Sequence, residues 1–181
     1  MTILLKNQET IELRQLQDTD LLHLYAYFQQ LSAETQSRFA PHSFDWETVK
    51  GIECRVDQPI KRFIALRTAH PEIIAYTVLH LGLAPGDLER YQRRGQLIKK
   101  KSTASFAPSV ADTWQGTGLA VSMNKYIEII AFDLGIRELV LWGGVQAGNQ
   151  RAIAFYEKIG YRPMGKFFYA GKENFDMAKT L

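Results

Sequence analysis

A single cysteine, Cys54, in 181 residues leaves no internal disulfide. That excludes the small secreted scaffolds held by cross-links and makes a reducing compartment, the cytoplasm, the expectation. Long apolar runs are also missing. None approaches the ~20 residues that a bilayer-crossing helix needs, and Met1–Leu5 has a single short apolar stretch before Lys6, too little for a signal-peptide core. No membrane partner is expected. An excess of charge of one sign is lacking as well: 22 Lys+Arg stand against 19 Asp+Glu, a net charge of +3. So small an excess does not argue for nucleic acid, though it suits a polyanionic small molecule. Neither internal repeats nor low-complexity stretches occur, and no metal site is expected. What is present is 46% hydrophobic and 12% aromatic residues, ordinary globular composition with length enough for one domain, 1–181, to bury about 70% of its unfolded surface.

The chain reads as a mixture of the two periodicities. Thr10–Leu16 alternates as a half-buried strand, and Asp18-Thr19-Asp20 caps a helix carrying Leu21, Leu24, Tyr25, Phe28 and Leu31. Asp45 caps a second, short helix with Trp46, Val49 and Ile52. Arg62–Arg67 and Ile73–Leu81 read as a hairpin about Thr68–Glu72. Leu83–Lys101, with Arg90, Arg93, Arg94, Lys99, Lys100 and Lys101, reads as a solvated excursion without a core face. Ser102–Ala111 is extended, and Pro108 predicts a bulge or an edge within it. The longest helix follows, with Leu119, Met123, Tyr126, Ile127, Ile130, Ala131 and Leu134 at helical spacing and Gly135 as its stop. Glu138–Val145 is a buried strand, Asn149 caps a helix through Ile159, and Tyr161–Tyr169 and Glu173–Leu181 form a last hairpin. A strand-helix-strand unit among hairpins predicts a mixed sheet with helices on it.

The chemistry concentrates before the longest helix. A helix start leaves its first N–H groups unpaired and carries partial positive charge, so it favours an anion. There the chain reads Gln115-Gly116-Thr117-Gly118-Leu119-Ala120. It lacks the Gly-Lys-Ser/Thr ending of a nucleoside-triphosphate loop, and Val121 replaces the third glycine of a dinucleotide fingerprint. Taken alone the segment is equally a flexible turn with a helix cap.

Gln115, Gly118 and Ala120 match the Gln/Arg-x-x-Gly-x-Gly/Ala signature of the GNAT acyl-CoA N-acyltransferases, and the chain resembles that family in a second segment. Asn149, Ala152, Tyr156, Gly160 and Tyr161 follow its Asn-x-x-Ala-x-x-x-Tyr-x-x-x-Gly-Phe/Tyr spacing. The motif-level match covers about Val110–Arg162, and the element order extends it over nearly the whole chain. The resemblance implies an α/β GNAT-like fold: a mixed, mostly antiparallel sheet whose strands four and five, here Ser102–Ala111 and Glu138–Val145, splay apart, flanked by helices. It implies acetyl-CoA as co-substrate, its pyrophosphate on the N–H groups of Gln115, Gly116, Thr117, Gly118, Leu119 and Ala120 and its pantetheine arm on backbone at Val110 and Ala111, with Asn149 alongside. Tyr156, seven residues after Asn149 and so on nearly the same helix face, becomes the general acid for the leaving thiolate.

The family often supplies a base from a glutamate on strand four, and Ser102–Ala111 contains no carboxylate. His42 and His80 titrate in the useful range, and deprotonation through water is an equal alternative. Acceptor contacts implied by the resemblance are Arg38, Phe39, His42, Phe44 and Trp142, with ordinary packing as the competing role of each. The expected acceptor is a small-molecule primary amine. The missing carboxylate, with Arg38 repelling a second positive charge, favours an amino acid or aminosugar nucleotide over a polyamine. Two rivals remain: a non-catalytic GNAT-fold module that binds CoA as a sensor or partner surface, and a nucleic-acid binder using Arg90–Lys101, which only Tyr91 supplies with an aromatic. A homodimer is open.

Overall fold

The computed structural model describes residues 1–55, 57–70, 72–96, 99 and 101–181; Pro71 and Lys100, part of the expected hairpin turn and basic excursion, lie outside them. These residues group into two compact units, Met1–Leu79 with Ala107–Ile127, and His80–Phe106 with Glu128–Leu181.

In the first unit the expected alternation becomes β2 (Thr10–Gln15), which pairs antiparallel with β3 (Ile60–Arg67). Ile11 and Leu13 are fully buried, whereas the residues between them stay partly exposed, as a strand with one solvated face requires. A short strand β1 (Thr2–Leu4), not anticipated, edges β2. α1 (Leu21–Gln30) buries Leu24, Tyr27 and Phe28, and the short α2 (Ala33–Gln36) and α3 (Trp46–Lys50) follow. As the sequence predicts, Asp45 caps α3, accepting from Thr48 N–H at 2.9 Å. The strand β4 (Ile73–Leu81) and the strand β5 (Thr103–Val110) each run from one unit into the other. α5 (Leu119–Asp133) begins in the first unit, where Leu119, Met123 and Ile127 are buried. Leu134, placed on the core stripe by its spacing, is 45% exposed.

In the second unit β5 pairs in parallel with β6 (Glu138–Leu141), register Thr103↔Glu138 to Phe106↔Leu141. Trp142 N–H still reaches Phe106 O at 2.9 Å. The chain then turns through Gly143 and Gly144, both at φ +68. β5 continues through Pro108 without interruption. Proline has no N–H to offer a ladder, and this one lies beyond the last residue that pairs with β6. Of the bulge or edge expected at Pro108, the structure has the edge: pairing with β6 has ended at Phe106. The short β7 (Val145–Gln146), α6 (Gln150–Lys158) and the hairpin β8 (Arg162–Tyr169) and β9 (Lys172–Thr180) complete the unit; β6, β7 and β8 all pair antiparallel with β9. The result is a mixed, mostly antiparallel sheet with helices, the fold class expected.

Part of the excursion Leu83–Lys101 is helix rather than solvated loop. It contains α4 (Pro85–Arg93), which buries Asp87 and Tyr91. Tyr91 packs with Leu83, Val140 and Ala178. Arg90 binds the fully buried Asp176 through Nε at 3.0 Å and Nη2 at 2.6 Å, and Asp87 through Nη2 at 2.7 Å. Arg94 reaches the same Asp176 at 2.5 Å. The helix therefore holds its place by charge-assisted bonds to a distant strand, with little apolar stripe for the sequence to reveal.

Candidate active site

The Gln115–Ala120 turn is built where the sequence predicts it. β5 delivers the chain to a tight 3-10 turn, Asp112–Trp114, whose carboxylate is clamped: Asp112 accepts from Ser32 N–H at 2.9 Å, Ser32 Oγ at 2.9 Å and Thr35 Oγ1 at 2.6 Å. These bonds overcome the burial penalty and hold Asp112 below the usual carboxylate range. Gln115 Nε2 donates to Val110 O at 3.2 Å, and Thr117 Oγ1 to Trp114 O at 2.7 Å. Gly116 and Gly118 sit at φ +84 and +92, the left-handed region that glycine enters without penalty. A Cβ at Gly118 would meet no atom within 4 Å, so the space before it is open. The N–H groups of Gly116, Thr117, Gly118 and Ala120 make no hydrogen bond among the described residues, and that of Leu119 only a long one to Thr117 Oγ1, 3.4 Å. That is a nest of donors at the positive end of a 15-residue helix. The Asp112 clamp had no local sequence signal, since its partners lie some eighty residues away.

Val110 and Ala111 divide. Ala111 N–H is taken by Ile74 O at 2.9 Å, and its carbonyl accepts from Trp114 N–H at 2.8 Å. The Ala111 N–H is thus not left for a pantetheine arm, contrary to expectation, and its carbonyl already accepts one bond. Because successive N–H groups of a strand point to opposite edges, that of Val110 points away from β4.

Of the predicted acceptor contacts in the first unit, Phe39, His42 and Phe44 come together with Phe28 and Tyr76 in one aromatic cluster. Phe28 lies 4.5 Å from Phe44 and 5.3 Å from Tyr76 between ring centroids, and Phe39 is 5.2 Å from His42. His42 Nδ1 lies 2.8 Å from Ser43 O and Nε2 lies 3.1 Å from Tyr76 Oη. A carbonyl can only accept, so Nδ1 carries the proton and Nε2 accepts from the tyrosine. Burial, aided by the charge of Arg62, lowers the His42 pKa and keeps the ring neutral. Its basic lone pair is thus already occupied by Tyr76. Arg38 does not join the cluster as a free cation. It pairs with Glu34 one turn back on the helical spacing, so the repulsion expected of it is neutralised. The cation that does reach the cluster is Arg62 of β3, which sequence reasoning missed: its guanidinium lies against the Tyr76 hydroxyl.

In the second unit Asn149 caps α6 as predicted, its Oδ1 accepting from Ala152 N–H at 3.2 Å, which leaves the amide nitrogen for other contacts. Tyr156 projects from the same helix and is 9% exposed, its ring 5.3 Å from both Phe155 and Tyr161. Burial pushes the phenol above its ordinary value, so it stays protonated well past neutrality. Trp142 packs against His80 with its ring tilted by 49°, 5.4 Å between centroids. Burial lowers the His80 pKa, and its Nδ1 has no hydrogen-bond partner among the described residues.

Comparison with known proteins bears on the fold and the family. No curated protein matches the chain by sequence. Among solved structures, the GNAT domain of S. lividans PAT superposes with a TM-score of 0.78 at 20% identity, covering 100% of this chain and 96% of that one. The structure of AAC(6')-Ib in complex with ribostamycin and coenzyme A gives 0.71 at 18% identity, covering 94% and 93%. A spermidine N-acetyltransferase chimera from Vibrio cholerae gives 0.67 at 21%, covering 94% and 95%. Among the described residues no helix is long and apolar enough to cross a membrane. The sequence profile of the Acetyltransferase (GNAT) family matches residues 26–161, and the chain belongs to that family of N-acetyltransferases, whose co-substrate is acetyl-CoA.

Proposed function

We propose that this protein moves an acetyl group from acetyl-CoA to the primary amine of a small molecule by direct attack, residues 1–181 working as one acyltransferase domain in the cytoplasm. The observation that carries the reading is the open turn at Gly116–Gly118, whose unpaired N–H groups suit a pyrophosphate. In this reading the donors from Gln115 to Ala120 hold the pyrophosphate, and Val110 N–H and the Asn149 amide serve the pantetheine. Val110 N–H also polarises the thioester carbonyl as it becomes an oxyanion. The amine nitrogen attacks the carbonyl carbon, the C–S bond breaks, and the sulfur leaves as thiolate and takes the Tyr156 proton. No carboxylate lies on β5 and the His42 lone pair is engaged, so the amine proton leaves through water. These same two facts favour a second reading, a CoA-binding module without turnover.

Acetyl-CoA offered to amino acids, aminosugars, polyamines and aminoglycosides, with free thiol as the readout, separates the two. Turnover on at least one acceptor is expected. Tyr156→Phe should then lose about 10²-fold in kcat with CoA affinity unchanged. CoA binding without thiol release from any amine would establish the second reading.

A further inference from the structure

Arg62 is a charge without a counter-charge among the described residues. It stands on β3 beside Phe63, whose ring meets Tyr126 of α5 at 5.9 Å. By strand alternation Arg62 turns to the opposite face, where its guanidinium meets the Tyr76 hydroxyl. That hydroxyl already donates to His42, so it can accept from the guanidinium but not neutralise it. The Arg62 Nε is shut off from water and has no hydrogen-bond partner, and no carboxylate among the described residues forms an ion pair with Arg62. The neighbouring Cys54 thiol offers no anion, because burial and Asp18 push it up to about 12. His42 is neutral. Every other arginine turned inward in this unit has its carboxylate: Arg14 pairs with Asp20 at 2.6 Å and Arg67 with Glu9 at 2.9 Å.

We propose that Arg62 recognises a carboxylate on the acceptor, making the substrate an amine that also carries a carboxyl group, with an apolar side chain against the partly exposed Phe39 and Phe44. This deepens the acetyltransfer reading above and rests on it. A half-buried cation with an unmet donor costs stability unless a ligand completes it, and the planar guanidinium fork matches a carboxylate in two parallel bonds. One unpaired positive charge beside a neutral histidine balances a monoanion. A phosphate dianion would leave a net charge in an aromatic surround. A polyamine would bring two positive charges to one.

The test uses matched acceptors with the full chain: methionine, leucine and phenylalanine, each against the amine left when its carboxyl group is removed. Wild-type kcat/KM should favour the acid at least ~10-fold, and Arg62→Gln should erase that ratio chiefly through KM, a loss on the scale of an unpaired buried charge contact. Arg62→Lys should retain part of it. A wild-type preference for the decarboxylated amines, which requires no variant to fold, or a ratio unchanged in folded Arg62→Gln, would overturn the assignment while leaving acetyltransfer intact. If no amine releases thiol, the acetyltransfer reading fails by itself. The N-acetyl amino acids are then compared with the N-acetyl amines by calorimetry in the presence of CoA, and equal binding overturns the role of Arg62.

Discussion

Replacing Gly118 by alanine isolates the anion turn, because the same helix carries its own control. Gly118 precedes α5 at φ +92 and Gly135 follows it at φ +84, and a Cβ on either would meet no atom within 4 Å. Both substitutions therefore carry the same cost, the left-handed backbone of an L-residue, roughly 1–2 kcal/mol, and neither adds a clash. Only Gly118 borders the unpaired donors of Gly116, Thr117 and Ala120. A methyl there holds the pyrophosphate oxygens off the backbone. Losing one charge-assisted hydrogen bond of about 1.5–3 kcal/mol weakens CoA by about 10- to 100-fold. Calorimetric titration with CoA should show that loss for Gly118→Ala and none for Gly135→Ala, while both unfold at matched, slightly lowered denaturant midpoints. Pantetheine, which lacks the pyrophosphate, should bind Gly118→Ala as it binds wild type. Unchanged CoA affinity in folded Gly118→Ala, or equal weakening in Gly135→Ala, refutes the placement.

Asp176→Ala strips the buried counter-charge from Arg90 and Arg94 while Asp87 still holds Arg90; a destabilisation of about 3 kcal/mol, the low end for a broken buried pair, should appear in urea denaturation, and a change under 1 kcal/mol would show that α4 does not depend on it. Burial lowers the pKa of His42 and His80 in the folded chain, so below about pH 6.5 the unfolded state binds protons that the folded one refuses. Stability should accordingly fall as pH drops from 6.5, His42→Gln should flatten part of that slope, and a wild-type stability flat between pH 7 and 5.5 would contradict it.

The Gly116–Gly118 turn, the Asn149 cap and the Tyr156 face were legible because each is a local matter: a positive φ, a cap three residues from its partner, a seven-residue spacing. α4 was not. Its amphipathic stripe consists of arginines whose partner, Asp176, is 86 residues from Arg90, and a local window reads such a helix as solvated loop. Ala111 failed for the same cause, since the group that occupies its N–H is Ile74 of another strand.

The same distinction between local and distant partners decides which arginine matters at the aromatic cluster. Arg38 sits among Phe39, His42 and Phe44 in sequence, and proximity along the chain makes it the natural cation for the acceptor. Yet its partner Glu34 is also local, four residues back, and a helix turn satisfies that pair before any ligand arrives. Arg62 lies twenty residues beyond His42 and enters only through the pairing of strands. Of two arginines near one cluster, the one beside an exposed carboxylate faces water that screens its charge and so contributes little selectivity. On the proposed assignment, the one without a carboxylate partner among the described residues, beside a neutral histidine, sets the sign of charge the cluster accepts. An amine-only acceptor would leave that sign unanswered, and a carboxylate answers it with charge-assisted bonds to the guanidinium.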